Sequence, residues 1–198
     1  NETYLGLTRD DFNSDQDRRY VASKLDNTEW NHKQFQFTHQ LELADWTLTS
    51  DLYRNEFDRD WFKINGFKSS SVSLSDVLAN PASDINAPYY QILKGEAASS
   101  SIEEQLRIGN NGRSFISQGI QTRFNSDFNF MGLNNGVEIG LRYHQDEIKR
   151  HHTEQDYSMQ VGGNLQAVTG SFKTTTRNMA ETKALAIYVQ DEIQYRDT

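Results

Sequence analysis

The chain has 198 residues, no cysteine and a net charge of −8, which excludes thiolate metal and disulfide chemistry and argues against a nucleic-acid partner, whose phosphates need clustered Lys and Arg. Only 35% of its residues are hydrophobic and its mean hydropathy is −0.80, yet 12% are aromatic, a combination too polar for an ordinary single core and too aromatic for disorder. No apolar run approaches the ~18 residues of a membrane-spanning helix, the longest being residues 184–189.

In chain order, Thr8 followed by Asp11 is a capping-box variant that starts a helical turn through Phe12. Residues 32–43 then read as a strand. Phe35, Phe37, Leu41 and Leu43 share one face with His39, and Gln34, Gln36, Thr38, Gln40 and Glu42 share the other. After Ala44-Asp45 the alternation resumes over residues 46–63, with Trp46, Leu48, Ser50 and Leu52 against Thr47, Thr49, Asp51 and Tyr53. Leu43 thus faces Trp46 across a two-residue turn, which puts both apolar faces on one side of the sheet. Ala-Asp is a poor type I′ sequence.

Residues 64–113 read as a long connection. Within it Ser75 caps a turn over 76–79 that Pro81 stops, and Ser101 with Glu104 forms a capping box ahead of Leu106. Strand alternation returns over residues 114–126, where Ile116, Ile120, Thr122 and Phe124 oppose Ser117, Gly119, Gln121 and Arg123. It returns again over 136–149, where Val137, Ile139, Leu141 and Tyr143 oppose Glu138, Gly140, Arg142 and His144. The link around 132–136 is short, and residues 150–182 read as a second long loop. A last strand covers 183–196, in which Leu185, Ile187, Val189, Ile193 and Tyr195 share a face with Asp191. Either a bulge shifts the register at that acid or the face meets protein.

These features point to an all-β antiparallel up-and-down meander, a partial transmembrane β-barrel of about five long strands with short periplasmic turns and long extracellular loops. The strands reach the ~9–11 residues a tilted strand needs to cross a bilayer, and their polar faces carry Gln, Thr and Gly rather than dense Lys and Glu, as suits a wet lumen. A soluble sandwich with large loops also alternates, but it requires two packed sheets with a dry core between them. The chain opens at Asn1 without Met and closes shortly after a strand-like run. It reads as an internal piece of a longer protein whose targeting segment lies elsewhere.

Several stretches carry a family likeness: residues 2–8 (Glu-Thr-Tyr-Leu-Gly-Leu-Thr), Arg18-Arg19-Tyr20, Tyr53-Arg54-Asn55-Glu56-Phe57, Val77-Leu78-Ala79-Asn80-Pro81, Leu141-Arg142-Tyr143-His144 and Tyr188-Val189-Gln190-Asp191-Glu192-Ile193. Spread along the whole chain, they resemble TonB-dependent outer-membrane receptors, with the nearest likeness to the ferric dicitrate branch. The resemblance implies a bacterial outer-membrane barrel of about 22 strands, plugged by an N-terminal domain and energised through a TonB box by the TonB–ExbB–ExbD complex. Residues 1–198 would be part of the barrel, without plug or TonB box. The implied partners are outer-membrane lipid and a ferric chelate, ferric citrate or another siderophore, carried as cargo rather than held as a cofactor. Related receptors take haem or sugars, so a non-iron substrate and a soluble binding or adhesion module remain alternatives.

An anionic chelate needs positive hydrogen-bonding groups, and the planar Arg fork binds carboxylates bidentately. Arg18, Arg19 and Arg113, in or beside the expected extracellular loops, are the candidates, with Tyr89 and Tyr90 placed to close over a ligand. Arg123, Glu138, Arg142, Gln190 and Glu192 face the lumen and are expected to contact the plug or neighbouring strands. His144, His151 and His152 lie near Asp146 and Glu147, but adjacent strand residues diverge, so no metal site is expected. No enzyme is expected either: paired carboxylates such as Asp146-Glu147 diverge likewise, and neither a G-x-S-x-G elbow nor an H-E-x-x-H helix occurs.

Overall fold

The computed structural model describes residues 5–194, so Glu2, Thr3, Tyr4 and Tyr195 lie outside the described residues. The chain is mostly antiparallel β-sheet, 62% strand and 12% helix. A short helix α1 (Arg9–Ser14) and a 3-10 turn (Val21–Ser23) precede strands β1 (Asn27–Leu43) and β2 (Trp46–Phe67). Helices α2 (Leu74–Ala79) and α3 (Ala87–Lys94) follow, then β3 (Leu106–Phe130), β4 (Leu133–Gln160), β5 (Asn164–Ala167) and β6 (Lys173–Gln194). Among the described residues the strands form one sheet in the order β1-β2-β3-β4-β5, with β6 also paired to β4.

The strands are longer than their apolar patterns suggest. Residues 150–160 continue β4 and 173–182 open β6, so the long loop expected over 150–182 is only the stretch 161–172 with β5 inside it. Likewise β2 runs to Phe67 and β3 begins at Leu106, which puts Arg113 well inside a strand. The added lengths of β4 and β6 are mostly polar on both faces, and those of β2 and β3 set apolar residues among Gly and Asn; a ladder of backbone hydrogen bonds does not need apolar alternation to continue.

Turn chemistry follows backbone sterics. Met131 and Gly132 both hold positive φ, +53° and +81°, the pattern of a two-residue I′ hairpin. In the first hairpin only Ala44 does, at +47°, the single positive φ of a II′-type turn, in which an Ala stands where Gly is favoured. Thr8 caps α1 as its sequence suggests, accepting from the Asp11 amide. The cap of α2 is Ser73 rather than Ser75. Ser101 and Glu104 build no helix; the Glu104 carboxylate instead accepts from the Ser100 and Ser101 amides and closes a turn. Helix α3 has Pro88 in its first turn and ends at Gly95, left-handed at φ +77°, the usual asymmetry of helix ends.

The chain divides into two compact units: one built from residues up to Trp30, Arg59–Arg113 and Arg150–Asn178, the other from Asn31–Asp58, Ser114–Lys149 and the residues from Met179 on. The first, the helical unit, holds the core. Ile64, Phe67, Leu106, Ile108 and Met159 of its strands are buried with Tyr20, Ala22, Val72, Val77, Ile92 and Leu93. Burying Ile92 and Leu93 and packing Tyr89 edge-on against Phe67, ring centroids 4.7 Å apart, fixes α3 by its apolar stripe.

The second, the hairpin unit, has no buried hydrophobic side chain among the described residues. Its order comes from ladders and cross-strand polar contacts. Thr38 donates to Asp51 at 2.6 Å and Gln121 to the same carboxylate at 3.0 Å, while Ser50 meets Thr122 at 3.2 Å and Trp46 packs on Phe124. Each contact joins residues that alternation assigns to one face. Asp191 sits in unbroken strand: Tyr188 lies over Gly140 and Glu192 beside Gly136, four residues apart on both strands, so no bulge intervenes.

Candidate functional site

Two of the residues expected to bind a ligand, Arg18 and Tyr90, meet at Asp11. Capping by Thr8 turns the Asp11 side chain inward, where it is mostly buried. One carboxylate oxygen accepts from Thr8 Oγ1 at 2.9 Å, from Tyr20 Oη at 2.5 Å and from the Tyr90 hydroxyl; the other accepts from Arg18 at 2.9 Å. Burial alone would raise the Asp11 carboxyl, but the hydroxyl donors and the Arg18 charge outweigh it and hold it below the ordinary carboxylate value. Burial and the same carboxylate push both tyrosines above their ordinary value. Arg18 is therefore tied to an anchor joining the N-terminal stretch to α3.

The other candidates lie apart. Tyr89 packs on Phe67 within the core. Arg19 lines a cleft of about 470 Å³ with Tyr20, Val21, Ser23, Lys24, Gly95 and Gly163. Gly163 holds φ +77° there, and a Cβ on Gly95 would strike Val21 at 2.9 Å, so the cleft depends on two glycines that the sequence pattern did not single out. Arg113 donates a long 3.4 Å bond from Nε to His152 Nε2. Burial, then the charges of Arg113, Arg150 and Arg59, hold His152 below its ordinary value.

In the hairpin unit the polar face carries separate hydrogen-bonded clusters. The Tyr53 hydroxyl meets His144 Nδ1 at 2.6 Å and accepts from Arg142 at 3.1 Å, and His144 Nε2 meets Asp146 at 2.8 Å. Tyr188 donates to Glu138. Arg123 and Gln190 share this face by alternation, and Glu192 lines a cleft of about 520 Å³ with Asp127, Asn129, Asn134 and Asn135. Two tyrosines lie over glycines on neighbouring strands. A Cβ on Gly119 would fall 2.6 Å from Tyr53 Oη, and one on Gly140 would fall 2.0 Å from Tyr188 Cε1.

His144 and His152 are thus engaged with different partners, and among the described residues no group of three or more His, Asp or Glu is arranged to hold a metal ion. No helix among them is long and apolar enough to cross a membrane, which says nothing of strands. No family model matches the chain, and no curated protein is similar to it.

Proposed function

We propose that this chain is part of an outer-membrane β-barrel receptor that binds and imports an anionic ferric chelate, with energy supplied by TonB–ExbB–ExbD through a plug domain. One observation carries the reading: in the hairpin unit one face holds an open band of apolar side chains, bordered by a bonded row of Arg54, Gln118, Gln145 and Glu181, while the opposite face is polar. Phe35, Phe37, Leu52, Ile120, Ile139, Leu141, Leu185, Ile187 and Val189 are all exposed. Contiguous apolar surface on this scale marks a membrane or protein contact, and alternation of apolar-out with polar-in is the signature of a strand that faces lipid on one side only. A soluble sandwich would bury this face under a second sheet. The strands of the hairpin unit would cross the bilayer and the helical unit would lie in water.

The test is ferric citrate binding by the full-length protein in detergent, followed by tryptophan fluorescence against iron-free citrate and an unrelated ferric siderophore. Saturable binding selective for one ferric chelate supports the receptor reading. A folded barrel that binds none of them sinks the ligand assignment and leaves the architecture.

A further inference from the structure

Three arginines stand in a row across three neighbouring strands of the helical unit. Gly112 fixes the register: a Cβ there would meet Asp60 Oδ1 at 3.0 Å on β2 and the His151 carbonyl at 2.9 Å on β4. In antiparallel pairing the next position, Arg113, therefore faces Arg59 on one side and Arg150 on the other, with all three side chains on one face. All three are half-buried. Like charges directly opposite each other destabilise a sheet, and nothing in the row offsets them. Among the described residues none of the three has a carboxylate partner; Arg113 bonds His152, Arg150 donates from Nε to Asn178 Oδ1 at 3.0 Å, and Arg59 lies over the Trp61 ring at 5.5 Å. Glu154, four residues along β4, is taken up by Lys173 and Asn65.

A second observation is independent of the register. Arg59 Nε is fully buried and has no hydrogen-bond partner, an unusual cost for a guanidinium donor. Burial first, and then the charges of Arg113, Arg150 and Arg59, hold His152 below its ordinary value, as its place beside the row requires.

We propose that Arg59, Arg113 and Arg150, with His152 beside them, form a binding site for a small anion carrying two or more oxyanion groups, carboxylate or phosphate. Neighbouring strands lie about 4.8 Å apart, so the row spans roughly 10 Å. A single monovalent ion neutralises one step of that span, whereas a di- or trianion bridges adjacent forks, each suited to bidentate oxyanion contact. As the binding site of the receptor proposed above, the row gives that receptor's ligand class, and to that extent it rests on the same reading.

The experiment is calorimetric titration of the full-length protein in detergent, in chloride buffer at neutral pH, with citrate and with pyrophosphate as separate probes. Vesicle insertion of the same preparation is scored in parallel. Saturable binding of either probe is expected, and which one binds identifies the oxyanion. Arg59→Gln, Arg113→Gln and Arg150→Gln should each weaken it by at least about tenfold, the effect of a lost charge-assisted bond, while Arg54→Gln, whose arginine pairs with Glu56, leaves it unchanged. Without either probe, Arg113→Gln should melt no lower than the parent because repulsion is relieved, and the probe-induced rise in Tm should vanish. No saturable binding by a protein that inserts into vesicles overturns the site and spares the barrel. Binding indifferent to all three substitutions also overturns it. Binding lost on Arg113→Gln in a protein that never enters a bilayer keeps the site and removes the receptor reading.

Discussion

A single carboxylate, Asp11, gathers donors from the Thr8 cap, the stretch around Arg18 and Tyr20, and α3. Removing it leaves two largely enclosed tyrosine hydroxyls without their acceptor, so Asp11→Ala is expected to cost roughly 2–4 kcal/mol in urea unfolding followed by fluorescence. Arg18→Gln, at a half-exposed position, should cost under about 1 kcal/mol. The pH dependence has a definite sign. Asp11 lies below its ordinary value of 3.8 in the folded chain, so its contribution is present above that value and lost as pH falls through the depressed one. Tyr20 and Tyr90 lie above their ordinary 10.0, so theirs is complete below that value and lost as pH rises through the elevated ones. Unfolding midpoints measured across pH should therefore be flat near neutrality and fall at both extremes, and Asp11→Ala should abolish the acid limb that belongs to this anchor. An acid limb unchanged by that substitution would show that other carboxylates carry it.

At the scale of strands and helices, the tyrosine-over-glycine contacts are as specific as any core residue. Gly140→Ala places a methyl inside the Tyr188 ring position and should destabilise by about 1–3 kcal/mol, as overpacking does. In a double-mutant cycle the cost should largely disappear in a Tyr188→Ala background; additive costs would mean that the glycine is needed for its backbone instead. The first hairpin was legible in the sequence because a period of two and a two-residue turn fix its register, so Thr38 on Asp51 follows from the pattern, whereas for Trp46 and Phe124 alternation gave the shared face but not the partner. The far ends of these strands were not legible: residues 150–156 of β4 are polar on both faces, and the apolar Ile64, Phe67, Leu106 and Ile108 of β2 and β3 stand among Gly and Asn that read as loop. Helix α3 was hidden for a related reason: at eight residues it is too short for periodicity, although Pro88 and Gly95 bracket it. Of the candidate ligand residues, Arg113 acquires Arg59 and Arg150 as neighbours only once register is known. Arg18 reads as a free loop cation until Asp11 is seen to hold it.

For the molecule as a whole, the decisive asymmetry is where apolar surface is buried. The helical unit covers Ile64, Phe67, Leu106, Ile108 and Met159 under its own helices, as any water-soluble fold does. The hairpin unit leaves Ile187 and Val189 each 69% exposed and organises its opposite face by hydrogen bonds. In water that arrangement forgoes burial worth about 25 cal/mol per Å²; in a bilayer the same surface is satisfied and the polar face is the one that must be kept wet. The two solvents predict opposite responses to one charge. Ile187→Arg on the apolar face should hinder insertion by about 2–4 kcal/mol if the position is near mid-bilayer, read as the fraction of protein reaching the compact, heat-modifiable form in lipid vesicles. Gln190→Arg, three residues along on the polar face, should insert like the parent. Equal insertion of the two variants, or improved solubility of Ile187→Arg with retained folding in lipid-free buffer, would mean that the apolar face meets protein rather than lipid, and Asp191 on that same face would then mark the protein contact.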